Sequence, residues 1–382
     1  MKIVYILQSL AFKGGTERVI IEKTNYLSEH YQYDISIITC TQAPNEPNYY
    51  PLSHRITQTN LDIHDYTVYK YKYPRRLWKK WEMKSYFRKR LTEEVNRIKP
   101  DIIIGVGHYK ADIICKLQGN FKIIIECHDG RMITSVLSKK EKRSFISKLY
   151  MTYFRWNYFR TIEHNANTIV TLTEGAKEKW RKARNVVVIP NISTMPVTSH
   201  TTCEKKQIIA VGRFRWEKGF DRLIDIWKVV SVKHIDWQLD IFGEGDLKKI
   251  LTEKIESEKI HNVTLHEQIS DMSSEYANSS ICLVTSFFEG FSLVLLEAIK
   301  HGVPCIAYDC PFGPRSIIEN GKSGFLIDDG NKNMFIKKLS YLMENEPLRK
   351  QFSQSALERS EHFNTDKTMK KWKDLFEEIA VH

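Results

Sequence analysis

The chain has 382 residues, 42% apolar, 27% charged and 12% aromatic, and a formal net charge of +12. A single hydrophobic core stops growing at roughly 250–300 residues, so a chain of this length predicts two domains. The composition excludes a disordered or collagen-like chain, and no run approaches the roughly 18 consecutive apolar residues of a membrane span.

Short β-branched runs alternate with longer amphipathic segments from the start. Residues 2–7 read as a strand, and Gly14-Gly15-Thr16-Glu17 reads as a turn opening a helix. Further strands are predicted at 34–39, 101–106, 121–126, 168–172 and 186–189. After these, Pro190-Asn191 begins a stretch to residue 206 that is rich in Ser, Thr and Pro and lacks periodicity, and it reads as the linker. The strand pattern resumes at 207–211, 238–242, 263–265, 281–285 and 304–308. Strands buried on both faces read as continuous apolar runs, so both halves predict parallel sheets wrapped by helices. The tail from Ser355 reads as two helices broken around Asn364-Thr365-Asp366, with Asp366 as the N-cap of the last. The predicted fold class is α/β, with two Rossmann-like, doubly wound domains at residues 1–189 and 190–363 facing a central cleft. A C-terminal helix within 364–382 is expected to pack back on the first domain.

The N-terminal strand lacks the long apolar core and cleavage site of a secretory signal, which points to the cytosol. Seven scattered cysteines, with no CxxC pair and no Cys/His cluster at zinc spacing, are expected to be small buried apolar groups.

Charge is unevenly spread. Residues 1–190 carry 33 Lys plus Arg against 18 Asp plus Glu, a net of +15, while residues 191–382 carry 25 against 28, a net of −3. Lys70 and Arg90 bracket a stretch in which ten basic residues meet one acid, Glu82. Interleaved with them are Tyr71, Tyr73, Trp78, Trp81, Tyr86 and Phe87. That mixture suits an anionic membrane surface, where aromatics dip into the interface and cations meet headgroups. A solvated helix whose aromatics pack on the domain is the second reading. Single-stranded nucleic acid is the third, and without a helix-turn-helix, zinc-finger or RNP motif no nucleic-acid partner is predicted.

The residues that promise chemistry sit at strand ends. Strand 207–211 runs into Gly212-Arg213, and the loop Phe214-Arg215-Trp216-Glu217-Lys218-Gly219 leads to a helix. Ligands of open α/β sheets bind at the carboxyl ends of strands, and Arg213 with Lys218 there suggests a pyrophosphate. Strand 281–285 runs into Ser286-Phe287-Phe288-Glu289-Gly290-Phe291-Ser292-Leu293. Gly290 permits close backbone approach, and the N–H groups of Phe291, Ser292 and Leu293 form an anion site at a helix start. Side chains tilt toward a helix N-terminus, so Glu297 reaches back to the mouth where Glu289 sits, and both suit sugar or ribose hydroxyls. In the first half, Gly14 and Gly15 open a helix after strand 2–7, and His128 follows strand 121–126 in Glu126-Cys127-His128-Asp129-Gly130. Gly243-Glu244-Gly245 lacks the third glycine of a dinucleotide fingerprint, Lys248 standing in its place, and there is no Walker A sequence.

Together and in this order, these motifs resemble glycosyltransferase family 4, a retaining family with the GT-B architecture, over nearly the whole chain. The most specific element is the pair Glu289 and Glu297 in Glu-Gly-Phe-Ser-Leu-Val-Leu-Leu-Glu. The resemblance implies that Arg213 and Lys218 hold the donor's diphosphate and stabilise its departure. It further implies that Glu297 binds ribose, that Glu289 contacts the donor sugar, and that His128 binds the sugar's hydroxyls. Backbone at Gly14, Gly15, Gly243, Glu244, Gly290, Phe291, Ser292 and Leu293 would complete the donor site. No metal or other cofactor is implied, which agrees with the absence of an Asp-x-Asp motif, two cations replacing Mg²⁺ at the leaving group. Cys310-Pro311-Phe312-Gly313-Pro314-Arg315 is similar to members that build bacterial surface polysaccharides such as lipopolysaccharide or capsule, usually from UDP-sugars. One departure is His266-Glu267-Gln268, where the family usually has a glycine beside the base.

The implied function is metal-independent transfer of a hexose or N-acetylhexosamine from a UDP-sugar to a lipid-linked or growing glycan. The enzyme would work in the cytoplasm, peripherally bound to the inner face of the cell membrane. A GT-B sugar-nucleotide epimerase and a non-catalytic nucleotide-sugar-binding subunit are the alternatives.

Overall fold

Each of the eleven apolar runs becomes a strand, and two further strands join them. The computed structural model describes residues 1–72, 74–128, 145–267, 269 and 271–381. The first sheet holds β1 (Lys2–Leu7), β2 (Asp34–Thr39), β3 (Thr57–Asn60), β4 (Ile102–Val106), β5 (Lys122–Cys127), β6 (Thr168–Thr171) and β7 (Val186–Val188), in spatial order β3-β2-β1-β4-β5-β6-β7. The second holds β8 (Gln207–Val211), β9 (Gln238–Phe242), β10 (Val263–His266), β11 (Ile281–Val284), β12 (Cys305–Tyr308) and β13 (Gly324–Ile327), in order β10-β9-β8-β11-β12-β13. Their strand pairings are parallel, and both orders reverse direction beside the first strand, the doubly wound plan of a GT-B protein.

The chain divides into two units. One takes Met1–Leu172, Ala176–Ile192 and Thr368–His382, and the other takes Thr173–Gly175 and Ser193–Lys367. Ile189 and Ile192 both sink into the first unit's core, so that unit extends three residues past Ile189.

Period-two alternation sorts the strand residues of the first sheet between two cores. Val4, Ile6, Ile103 and Ile125 meet Phe87, Leu91 and Val95 of helix Arg75–Ile98. Ile3, Tyr5, Ile104 and Ile124 meet Ile20 and Ile21 of helix Gly15–His30 and, from the far end of the chain, Met369, Trp372 and Phe376 of helix Thr365–Val381. The N-cap of that last helix is Asn364 rather than Asp366: its Oδ1 accepts from the Asp366 N–H at 3.0 Å and the Lys367 N–H at 3.3 Å. A side chain two residues earlier in the chain reaches the unsatisfied amides of the first turn.

All seven cysteines are free and buried. Burial pushes the Cys115 and Cys310 thiols up to about 12, so they pack as neutral apolar groups. Among the described residues no helix is long and apolar enough to cross a membrane.

Candidate functional site

In the second unit the strand order reverses between β8 and β11, and the loops that follow those two strands meet there. Thr285 Oγ1 donates to Gly219 O at 2.9 Å, and the Phe287 N–H donates to Glu217 O at 2.9 Å. Contact this close requires glycine: Gly219 has φ +64°, and a Cβ there would lie 2.2 Å from Thr285 O. A Cβ at Gly243 would likewise lie 1.9 Å from Gly212 O, so the loop after β9 also needs a bare backbone. The Glu244 carbonyl accepts from the Phe214 N–H at 2.7 Å, tying that loop to the one after β8.

This stitching brings together two side chains 71 residues apart. Lys218 Nζ donates to Glu289 Oε1 at 2.7 Å, and Ser286 Oγ donates to the same oxygen at 2.7 Å. Glu289 is buried, while Lys218 keeps part of its surface in solvent. Arg213, from the same loop as Lys218, is exposed, and among the described residues no carboxylate pairs with it. Among the described residues the loop therefore presents Arg213 and Arg215 without a carboxylate partner and Lys218 held by Glu289.

Three features outside the sequence expectations shape this spot. Arg222 Nε donates to Thr285 O at 2.7 Å, and its Nη2 donates to Ser286 O at 2.8 Å. Its guanidinium also lies 3.9 Å from the Phe287 ring centroid and 4.3 Å from that of Tyr308, which clamps the loop before Glu289. In sequence it reads as an ordinary helix-surface arginine. Phe312 takes φ +76°, a strained value for an aromatic residue, and the next amide, Gly313 N–H, donates to Glu289 O at 2.9 Å. A Cβ at Gly313 would lie 2.7 Å from the Glu289 Cβ, so the surface-polysaccharide-like segment packs against the backbone of Glu289.

Helix Leu293–Lys300 starts with Ser292 as N-cap, and that side chain makes no capping bond. Among the described residues no acceptor takes the N–H groups of Phe291, Ser292 or Leu293, so the helix start keeps its donors for an anion. Gly290, before them, is half-buried. Glu297 lies one turn on, buried, with Oε2 accepting from Tyr276 Oη at 3.1 Å. Burial and then the Glu297 charge push the Tyr276 hydroxyl well above its usual range, which keeps it a donor. Tyr276 was not legible as a partner because it comes from a separate short helix, Ser273–Ala277.

In the first unit, Gly14 is the extended N-cap of helix Gly15–His30. His128 follows the last residue of β5, as expected, while Asp129 and Gly130 of its motif lie outside the described residues. His128 Nε2 approaches Glu126 Oε1 at 3.1 Å, and Glu126 Oε2 accepts from Lys23 Nζ. In the loop after β10, His266 stacks on Phe242 at 4.5 Å and bonds Asp240 Oδ1 through Nε2 at 2.6 Å. Glu267 pairs with Lys248 at 3.1 Å, and Gln268 lies outside the described residues. Among the described residues no group of three or more His, Cys, Asp or Glu side chains is placed to hold a metal ion.

The basic aromatic stretch forms most of helix Arg75–Ile98. Phe87 packs in the core, but Trp78 and Trp81 are 60% and 69% exposed, and Tyr86 is exposed too. Tyr71 is half-buried beneath Arg75, and Tyr73 lies outside the described residues. Helix Phe145–Asn165 adds exposed Tyr153, Phe154 and Trp156, with the Arg160 guanidinium 4.9 Å from the Trp156 ring centroid. Both helices bury residues in the same core of the first sheet.

The family model described as Glycosyltransferase Family 4 matches residues 13–192, and that described as Glycosyl transferases group 1 matches residues 198–359. A Haemophilus influenzae protein described as an uncharacterized glycosyltransferase is 29% identical over 98% of this chain and 99% of its own length. The amylovoran biosynthesis glycosyltransferase AmsD of Erwinia amylovora is 28% identical over 98% of this chain and 99% of its own. Among solved structures, S. aureus TarM, in complex with ligands that include UDP, superposes with a TM-score of 0.75 at 16% identity, covering 98% of this chain and 100% of that one.

Proposed function

The chain belongs to the glycosyltransferases of family 4, and from that premise we propose that it transfers a hexose or N-acetylhexosamine, with retention of configuration, from a UDP-sugar to a lipid-linked or growing glycan of a bacterial surface polysaccharide. The observation that carries this reading is the meeting of Lys218 with Glu289 at the strand-order reversal of the second unit, beside a helix start with open N–H groups. Such a place suits a diphosphate joined to a polyol: cations and amides for the phosphates, carboxylates for the hydroxyls.

In the proposed reaction the bond between the anomeric carbon and the β-phosphate oxygen breaks. Lys218 and Arg213 take up the charge that develops on the departing diphosphate, the part a divalent metal would otherwise play. The acceptor oxygen attacks from the face the diphosphate leaves, and a phosphate oxygen receives the acceptor's proton, so no enzymatic nucleophile is needed. Glu289 accepts hydrogen bonds from the donor sugar, Glu297 from the ribose, and His128 binds sugar hydroxyls. AmsD, which resembles this chain along its length, is described as an amylovoran biosynthesis glycosyltransferase, and TarM is solved with UDP. Those two likenesses support the acceptor class and the UDP donor.

Thermal melting with nucleotides tests this directly. A ligand that binds only the folded protein at 100 times its Kd adds about 2.7 kcal/mol of apparent stability. UDP and UDP-sugars in EDTA are expected to raise the Tm by several degrees, with GDP and ADP doing less. Equal silence of all three nucleotides would overturn the donor assignment, and a shift that needs Mg²⁺ would overturn the metal independence.

We further propose that the basic aromatic face of the first unit rests on an anionic membrane. Exposed Trp78, Trp81, Tyr153 and Trp156 among arginines and lysines support this placement. The wild-type protein should co-sediment with phosphatidylglycerol vesicles at 50 mM salt and release as salt rises. The Trp78→Ala, Trp81→Ala double variant should bind them about tenfold more weakly. Equal binding to uncharged vesicles, or capture by single-stranded RNA in preference to lipid, would refute this.

A further inference from the structure

Glu126 and Lys23 are charged side chains, 1% and 2% exposed, that no part of the proposed reaction employs. Glu126 shares the strand parity of Ile124, so β5 turns it toward the core that holds Trp372, and there it meets Lys23 from helix Gly15–His30. Its two oxygens face two different cations or donors: Oε2 accepts from Lys23 Nζ, and Oε1 lies 3.1 Å from His128 Nε2. The ammonium of Lys23 in turn lies 4.1 Å from the ring centroid of Trp372 and 5.3 Å from that of Tyr5. Burying an ion pair commonly stabilises a fold no better than apolar residues of the same volume, so the pair calls for another role. Burial by itself would raise the Glu126 carboxyl, but the Lys23 ammonium and the His128 imidazole outweigh it and hold it at about 2. Burial lowers Lys23, and Glu126 opposes that shift.

We propose that Glu126 is a positioning residue for His128: kept ionised by Lys23, it holds the imidazole with its proton on Nε2 and leaves Nδ1 as the ring's free acceptor. Nε2 is buried and makes no well-aligned hydrogen bond among the described residues, but the Glu126 carboxylate 3.1 Å away repels a lone pair there, so the carboxylate is what selects the tautomer. Trp372 packs against the ammonium, so the last helix of the chain takes part in setting a ring next to β5. The consequence for transfer rests on the role proposed above for His128, whereas the tautomer itself does not.

Nuclear magnetic resonance of histidine labelled with ¹⁵N and ¹³C, with the His128→Gln variant giving the assignment, reads the tautomer directly. In the wild type the neutral form of the His128 ring is expected to carry its proton on Nε2. An Nδ1–H tautomer, or an even mixture, would overturn the proposal without any variant having to fold. In the Glu126→Gln, Lys23→Met double variant, which leaves no unpaired charge behind, the preference should relax, and kcat should fall about tenfold or more with little change in KM for the donor. A folded double variant with an unaltered His128 spectrum would equally refute it. If the wild type shows Nε2–H while His128→Ala turns over normally, then the role of His128 in transfer fails and the positioning stands.

Discussion

Replacing Lys218 by alanine should lower kcat by about 10²- to 10³-fold, the cost of removing one preorganised charge-stabilising group from a developing anion. The loss should fall on turnover and not on folding. Lys218 sits in a loop, its partner Glu289 keeps Ser286 as a donor, and a part-exposed ion pair is worth about 1 kcal/mol or less to stability. Arg213→Ala should also slow transfer without altering the Tm, because that guanidinium is exposed and unpaired among the described residues. Glu289→Ala is expected to give a comparable loss, and the Lys218→Ala, Glu289→Ala pair should lose less than the product of the two, since each side chain fixes the other through the 2.7 Å contact. Steady-state rates with a UDP-sugar, set beside melting curves of the same preparations, check all four variants. A Lys218→Ala enzyme with wild-type turnover would remove the loop from the site.

The strands that position this pair were legible because they are buried on both faces and so read as unbroken apolar runs. The two that escaped are edge strands: β3 is Thr-Gln-Thr-Asn, and β13 is a four-residue run beginning with glycine. The polar β3 offers periodicity no apolar run and β13 only a three-residue one, whereas β7 and β10, also at sheet edges, keep runs that are read. The same limit applies to the site. Lys218 and Glu289 could each be assigned to a strand end, since the loop after a parallel strand always opens at the same edge of the sheet. Their contact could not be read, because it depends on Gly219 passing within hydrogen-bonding reach of Thr285. Lys23, Glu126, Tyr276 and Arg222 left still less trace. Each is an ordinary residue in its own segment, and it gains its contacts only from a partner brought in by the fold from 21 to 103 positions away.

Trp372→Ala should cost about 3–5 kcal/mol, the range for emptying a large buried aromatic site, and this would be the largest stability loss among the substitutions considered. The reason lies in where the end of the chain packs. Met369, Trp372, Leu375, Phe376 and Ile379 enter the core formed by β1, β4 and helix Gly15–His30, and the Trp372 ring roofs the buried Lys23 ammonium. Truncation to alanine therefore leaves both a cavity and a charge with less cover, whereas Trp156→Ala, at an exposed ring, should stay within about 0.5 kcal/mol of the wild type. For a unit of this size each kcal/mol lowers the Tm by about 2–4 °C, so the expected fall is roughly 6–20 °C. A chain ending at residue 367, which lacks all five apolar side chains, should fail to give a cooperative transition for the first unit in calorimetry. If that shortened chain melted like the full-length protein, helix Thr365–Val381 would be an appendage, and the route from Trp372 through Lys23 and Glu126 to His128 would carry no weight.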